Sequence, residues 1–501
     1  MTIEDRTRED LPSGTDVVNG GLRQSYVPAS SVDEAQERLL GAINYERRVQ
    51  TPYNRSFYRL DRMRRLAEIL GNPHLKYPVI HIAGSKGKGT VAHVLAAALE
   101  HAGYQTGLYT SPHLVRLHER FRFCGQPASD EQLLELTNRV LEAAEQLRSE
   151  DAFSGGATFF EITTAMAMLH FAQQKVDCVV LEVGMGGRLD STNICEPELC
   201  IITSIGLDHE KQLGSTIAEI ALEKAGIIKP GVPTVCSARD PSARQAIQQA
   251  ANHAESELLL LDRDFQCAWQ SLETNPTAEM PDDGAAAELS YSLTAASSGE
   301  DCTTPPPLTK FLRTRLLGRH QADNLSAAIR ALQELDSRGM RIPWKSIEHA
   351  VAKAQPPARM QVIQNDPTSI LDTAHNPASI EAGLNALESH FPGKPVVAVF
   401  APSRDKDYAK MLDLLLARTQ QLVITQFHGN PRAVPLDDLH ALASEKLEHL
   451  VDSDGMSSVL CKSELPEHAW GLARQLAASG GAIVYAAGSF FLAAELLAGQ
   501  E

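Results

Sequence analysis

Gly84, Lys86, Gly87, Lys88 and Gly89 crowd into the run His81-Ile82-Ala83-Gly84-Ser85-Lys86-Gly87-Lys88-Gly89-Thr90. An apolar stretch, Pro78-Val79-Ile80, precedes it, and residues 91–100 after it are rich in Ala, Val and Leu. That order reads as strand, glycine-rich loop, helix. Such a loop turns backbone N–H groups and a helix N-terminus toward one point, where phosphate oxygens can sit. Lys88 adds a point charge for the outer phosphates. The standard phosphate loop has glycine at position 82 and a hydroxyl directly after the lysine. Ile82 and Gly89 stand there instead. Gly89 has no side chain to ligate Mg²⁺, so metal ligands must come from elsewhere. The competing reading is a plain glycine turn with a surface lysine. The density of glycine and lysine favours phosphate.

Other polar groups fall at the ends of apolar runs. Ser111 lies in Tyr109-Thr110-Ser111-Pro112-His113-Leu114 and offers the hydroxyl that Gly89 lacks, although a Ser-Pro turn is the better reading of this segment taken alone. Glu182 ends the run Cys178-Val179-Val180-Leu181 and precedes Gly184, Gly186 and Gly187. A carboxylate there suits Mg²⁺, which prefers hard oxygen ligands; the alternative is an ion pair with Arg188. Asp208 and His209 end the next run and share that edge. Asp372, in Leu371-Asp372-Thr373-Ala374-His375-Asn376-Pro377, is placed to accept from a ribose hydroxyl, and His375 to approach phosphate. A capped Asn-Pro helix start explains the same residues. Lys224 reads only as a helix-end cation, with Gly226 as the residue that stops the helix.

Elements of alternating type must position these groups. Apolar runs at 106–109, 178–183, 199–205 and 233–236 alternate with helix-period segments at 130–147, 161–173, 216–225 and 242–253. This implies an α/β fold, a doubly wound parallel sheet covered on both faces. Residues 1–33 are polar and read as a flexible arm, followed by helices at 32–44 and 59–70. Residues 270–308, rich in Ala, Ser, Thr, Pro and acids, read as an extended or disordered insertion. A helix at 322–335 closes a central domain, expected to bind a nucleoside triphosphate, spanning 34–355. Gln355-Pro356-Pro357 marks a break. A smaller Rossmann-like domain, 356–501, follows, with strands at 369–371, 396–400, 422–425 and 482–486. A triphosphate site facing the interdomain cleft is the natural arrangement.

The formal net charge of −17 excludes a broad nucleic-acid surface. No apolar run reaches membrane-spanning length. The eight cysteines show no CxxC pair, which suits buried thiols in a reducing compartment. The charged N-terminus lacks a signal-peptide core. A cytoplasmic protein, expected to be a monomer, follows.

HIAGSKGKGT, YTSPHL, TFFE, LEVGMGGRLDSTN, SIGLDHEKQLG, EKAGIIKP, LGRHQADN and LDTAHNP occur in one order. Together they resemble the folylpolyglutamate synthase and dihydrofolate synthase family, a branch of the Mur ligase superfamily. The resemblance runs from about residue 40 to the C-terminus. It implies ATP-dependent ligation of L-glutamate to a pterin or folate carboxylate through an acyl phosphate. It implies an ATP loop of Gly84, Ser85, Lys86, Gly87, Lys88, Gly89 and Thr90, and Mg²⁺ at Ser111, Glu182 and His209. Lys224 matches a lysine carbamylated to ligate a second Mg²⁺; Lys88, Lys224 and His209 would then be catalytic. Asn324 matches an adenine contact, and Arg359 and Asp372 match other ATP contacts. Thr158, Phe159, Phe160 and Glu161, with Leu189, resemble the pterin-side pocket, where aromatic faces suit stacking. Lys86 stands where the family usually has Asn, and Ala358 and Thr373 stand where Gly is usual. Two alternatives stay open: an amide ligase acting on a cell-wall precursor, and a nucleotide-binding protein without ligase chemistry.

Overall fold

The computed structural model describes residues 26–42, 59–153, 155–272, 285–294, 309–454 and 459–499. Three sheets organise them. The largest contains β1 (Val79–Ala83), β2 (Thr106–Tyr109), β3 (Phe121–Phe123), β4 (Gln126–Pro127), β5 (Cys178–Glu182), β6 (Pro197–Ile202), β7 (Thr234–Cys236) and β8 (Leu258–Leu260). Their spatial order is β4-β3-β2-β5-β1-β6-β7-β8. Every pairing from β2 across to β8 is parallel. The β3 and β4 pairings are antiparallel and add an edge the alternation did not suggest.

β1 and β5 are buried at every position. Ile80 and Ile82 face the helices Lys88–His101 and His320–Ser337. Val79 faces the other layer, with the helices Leu60–Ile69, Asp130–Arg148 and Phe159–Gln174. Covered on both sides, these strands read as unbroken apolar runs. The order also decides where chemistry can collect. β1 lies between β5 and β6, so the loops after β2, β5, β1 and β6 open on one sheet edge.

A second sheet corrects the reading of residues 270–308. β9 (Phe265–Ser271), β10 (Ala287–Leu293) and β11 (Lys310–Thr314) pair antiparallel, with β10 in the middle. Ala287, Leu289 and Tyr291 alternate inward along β10 and are buried. Leu289 and Tyr291 join the core of the helix His320–Ser337. A period of two buries one face of this strand even though the segment around it is polar. Residues 273–284 and 295–308 lie outside the described residues. Leu289→Ala should therefore destabilise the protein by about 2–5 kcal/mol. A melting temperature equal to the parent's would show that β10 is peripheral.

The third sheet contains β12 (Gln361–Asn365), β13 (Thr368–Leu371), β14 (Val396–Phe400), β15 (Gln421–Ile424), β16 (Val459–Lys462) and β17 (Ile483–Ala487), in the order β12-β13-β17-β14-β15-β16. All pairings are parallel except β12 with β13. β12 and β16 are short, part-exposed edge strands, which hid them in the sequence.

Residues 1–25 and 43–58, part of the expected arm and of the expected helix 32–44, lie outside the described residues. Residues 26–33 are not a loose arm. The Ala29 N–H donates to Asn138 Oδ1 at 2.6 Å, and Asn138 Nδ2 donates back to the Ala29 carbonyl at 3.0 Å. No described helix is long and apolar enough to cross a membrane. The seven described cysteines are free thiols, four of them buried.

Candidate active site

The loop from Gly84 to Gly87 leaves β1 and enters the helix Lys88–His101. Gly87 caps that helix in the left-handed region, φ 89°, where L side chains are strained. A Cβ on Gly87 would lie 2.0 Å from Asn324 Oδ1, and one on Gly84 would lie 1.7 Å from Thr203 Oγ1. Only glycine fits either place. The loop is braced by the segment after β6. The Ser85 N–H donates to the Ser204 carbonyl at 2.8 Å. Thr203 Oγ1 and Ser204 Oγ donate to the Lys86 carbonyl at 2.7 and 3.1 Å. No side chain caps the helix N-terminus. Its first N–H groups therefore stay available to an anion.

Cations gather on this loop. Lys88 Nζ and Lys224 Nζ donate to the same Gly84 carbonyl, at 3.1 and 3.0 Å. Lys224 is only 4% exposed, and no carboxylate pairs with it among the described residues. Burial, followed by the charge of Lys88, pushes its amine down to about 7. Its neighbour Gly226 does not stop the helix by a left-handed turn, as the sequence suggested. The backbone continues as a 3₁₀ turn, Ala225–Ile227, and a Cβ on Gly226 would lie 2.4 Å from Arg188 Cβ. The glycine is there for close packing.

The C-terminal segment reaches the same loop. The Arg359 guanidinium would lie 3.0 Å from a Cβ on Gly89. Lys86 Nζ lies 3.3 Å from Asp208 Oδ2 and 3.3 Å from His375 Nε2. His375 Nδ1 lies 2.9 Å from the Thr373 carbonyl, which only accepts. The imidazole therefore carries its proton on Nδ1, and Nε2 accepts from Lys86. Burial and the Lys86 charge keep it neutral. Lys406 adds a second cation 3.8 Å from Asp208. Burial alone would raise the Asp208 carboxyl, but Lys86, His209 and Lys406 outweigh it and hold it well below the usual range.

Glu182 ends β5, is 2% exposed, and accepts from the Ser111 N–H at 3.3 Å. Burial raises its carboxyl, opposed by Lys88 and Arg359. The alternative partner, Arg188, turns away to Glu223 and to the Leu222 carbonyl. His209 sits at φ 54° with its side chain 43% exposed and Nε2 3.9 Å from Asp208. Among the described residues no three His, Cys, Asp or Glu side chains form a metal cluster. A few oxygens beside a phosphate loop still fit Mg²⁺, which keeps waters and binds through one or two carboxylates plus substrate phosphates.

Asn324 is 5% exposed; its Nδ2 donates to Gln321, and its Oδ1 lies against Gly87. Thr90 is buried in the first turn of the loop's helix. Thr158, Phe159, Phe160 and Glu161 form the start of one helix. Thr158 caps the helix Phe159–Gln174 and exchanges hydrogen bonds with Glu161. Glu161 also forms a buried ion pair with Arg62 at 2.9 Å. Both polar side chains are thus engaged in holding the helix start. Phe159 is 2% exposed, with the Arg120 guanidinium 5.3 Å from its ring centre. One side of its ring is taken by that guanidinium, and the residue also walls a cavity of about 480 Å³ with Leu39, His113 and Arg116. Phe160 and Leu189 remain half-buried, and Phe160 lies over Gly184.

Asp208 lay in plain view beside His209, but its role depends on partners from both halves of the chain. Lys406, in Asp405-Lys406-Asp407, carries no local signal at all. Thr203 and Ser204 read simply as the end of a strand.

The model of the Mur ligase middle domain matches residues 82–332, and that of the Mur ligase glutamate ligase domain matches residues 358–490. The chain is 36% identical over 384 residues to the dihydrofolate synthase/folylpolyglutamate synthase of Bacillus subtilis strain 168, covering 76% of this chain and 84% of that protein. It is 33% identical over 387 residues to the folylpolyglutamate synthase of Lacticaseibacillus casei, covering 76% and 84%. Its structure is similar to that of Mycobacterium tuberculosis folylpolyglutamate synthase complexed with ADP, with a TM-score of 0.78 at 26% identity over 94% of this chain and 98% of that one.

Proposed function

This chain belongs to the folylpolyglutamate/dihydrofolate synthase family of the Mur ligases, and from that premise we propose that it joins L-glutamate to a pterin or folate carboxylate at the expense of ATP. The observation that carries this reading is the convergence of Lys88 and Lys224 on the Gly84 carbonyl, with Arg359 and Lys86 closing over the same loop. Three cations, Lys86, Lys88 and Arg359, beside free helix N–H groups suit a triphosphate. An acceptor carboxylate oxygen attacks the γ-phosphorus, the bond to ADP breaks, and an acyl phosphate forms. The glutamate amine attacks the acyl carbon, phosphate leaves, and the amine loses a proton. The protein supplies positioning and charge neutralisation.

Within this reading Gly84 to Thr90 hold the phosphates, and Asn324, Arg359, Asp372 and His375 complete the nucleotide site. Ser111, Glu182, His209 and a carbamylated Lys224 would hold Mg²⁺, which when bound supplies charge neutralisation at the phosphate oxygens. Thr158, Phe159, Phe160, Glu161 and Leu189 line the pterin side, with Phe160 and Leu189 the more exposed of them. The catalytic site lies between domains 34–355 and 356–501 of a cytoplasmic monomer.

The testing experiment measures ADP release with glutamate and, separately, dihydropteroate, a reduced folate, or a UDP-linked cell-wall precursor. Glutamate-dependent turnover with a pterin acceptor is expected; turnover with the UDP-linked substrate alone would move the chain to another branch. Glu182→Gln should raise the Mg²⁺ concentration needed for half-maximal activity several-fold. Matching Mg²⁺ titrations would reduce Glu182 to a structural role.

A further inference from the structure

We propose that Tyr485 is a positioning residue for nucleotide binding: its hydroxyl fixes the Asp372 carboxylate, which in turn holds the linker turn that lays Arg359 on the phosphate loop. The proposal rests on the reading of Asp372 and Arg359 as nucleotide contacts.

β17 runs through the middle of the C-terminal sheet, buried at every position. Its other residues are Ile483, Val484, Ala486 and Ala487. A phenol is out of place in such a strand unless its hydroxyl finds a partner. Tyr485 is fully buried, and its O–H donates to Asp372 Oδ2 at 3.1 Å. Asp372 directly follows β13, whose Ile370 pairs with Tyr485. The Asp372 N–H is fixed to the Ala486 carbonyl at 2.9 Å. Space for the hydroxyl is made by the helix Pro377–His390. A Cβ on Gly383 would lie 2.2 Å from Tyr485 Oη and 3.4 Å from Asp372 Oδ2.

The second carboxylate oxygen of Asp372 accepts from the Met360 N–H at 3.4 Å. Met360 and Ala358 both adopt left-handed backbone, φ 49° and 48°, on either side of Arg359. Two L residues in that region persist only where the surroundings determine them. Here the Thr373 N–H donates to the Ala358 carbonyl at 2.8 Å, and the Ala358 N–H donates to Gln361 Oε1 at 2.8 Å. The Asp372 carboxylate supplies the remaining tie. The chain of contacts thus runs from Tyr485 through Asp372 and Met360 to Arg359, whose guanidinium meets Gly89.

Burial raises the Asp372 carboxyl to about 6, and the Tyr485 hydrogen bond is the largest influence opposing it, ahead of the Met360 N–H, the Arg359 charge and the Ala374 N–H. An acceptor role for Asp372 is lost as pH falls through its folded value. Without the hydroxyl that value rises, so the loss begins at higher pH.

The test compares Tyr485→Phe, Gly383→Ala and Asp372→Asn in the full chain by KM for ATP, kcat at saturating ATP, and pH dependence. Tyr485→Phe should raise KM for ATP about 3- to 10-fold and leave kcat within about twofold. The acid limb of kcat/KM for ATP should move to higher pH, which a merely structural phenol would not cause. Gly383→Ala, which crowds the hydroxyl from the other side, should reproduce the KM effect. If Asp372→Asn weakens ATP binding while Tyr485→Phe and Gly383→Ala keep the parent KM and acid limb, the positioning role is overturned and the nucleotide reading of Asp372 stands. A parent-like KM in Asp372→Asn overturns that nucleotide reading and the proposal with it.

Discussion

Lys88→Ala should abolish ligation and leave the protein folded. Lys88 opens the helix that follows the phosphate loop, and its side chain is half-buried with Nζ turned back to the Gly84 carbonyl. That carbonyl also receives Lys224, so removing Lys88 does not orphan it. The helix start is set by Gly87 in its left-handed conformation rather than by the lysine. Stability should therefore change little. Catalysis should change greatly, because the transferred phosphoryl group gathers charge that a nearby cation stabilises. Loss of about 3–4 kcal/mol of transition-state stabilisation slows turnover roughly 10²- to 10³-fold. Loss of phosphate binding adds to that. ADP release measured beside a thermal melt separates the two effects. Turnover near the parent rate with an unchanged melt would remove Lys88 from the mechanism.

The legible parts of this fold are those where burial on two faces leaves a continuous apolar run. β1, β5 and β6 are such strands, and their helices follow the 3.6 period. Ser111, Glu182 and Asp208 were legible as strand-end groups because the parallel order brings those ends together. β10 was not legible, because only Ala287, Leu289 and Tyr291 face inward and the stretch around them is polar. The contact of the Arg120 guanidinium with the Phe159 ring was not legible either, because no spacing links the two residues. The meeting of Lys86, Asp208, His375 and Lys406 joins four separate segments, Asp208 pairing with both lysines and His375 with Lys86. No spacing in the sequence encodes it. The left-handed Ala358 supplies a physical reason why glycine is usual at that position.

Lys224 was legible only as a helix-end cation, and its surroundings make carbamylation the expected state of the active protein. An ordinary lysine at pH 7 has roughly one amine in a few thousand unprotonated. Lys224, pushed down to about 7 by burial and by Lys88, holds about half of its amines neutral at that pH. Only the neutral amine has the lone pair that attacks CO₂; the N–C bond forms and one proton is released. The sign is definite: a folded amine lowered from its unfolded value penalises the fold below about pH 7, and the penalty lifts as pH rises toward the unfolded value. Modification should accordingly be more complete at pH 8 than at pH 6. The product reverses the charge beside Lys88 and presents hard oxygens suited to Mg²⁺. It also replaces a cation that has no acidic partner among the described residues and only the Gly84 carbonyl to meet. Lys224→Ala should lose activity at least 10²-fold, the scale of an electrostatic group at the reacting phosphates. A short carboxylic acid such as acetate or propionate should restore part of it by occupying the vacated space. Intact-mass measurement of the parent should show the added carboxyl group, diminished after exhaustive removal of CO₂ and bicarbonate, with activity falling in step. Full activity of a parent protein whose mass shows an unmodified Lys224, or full activity of Lys224→Ala without any added acid, would take this residue out of the mechanism.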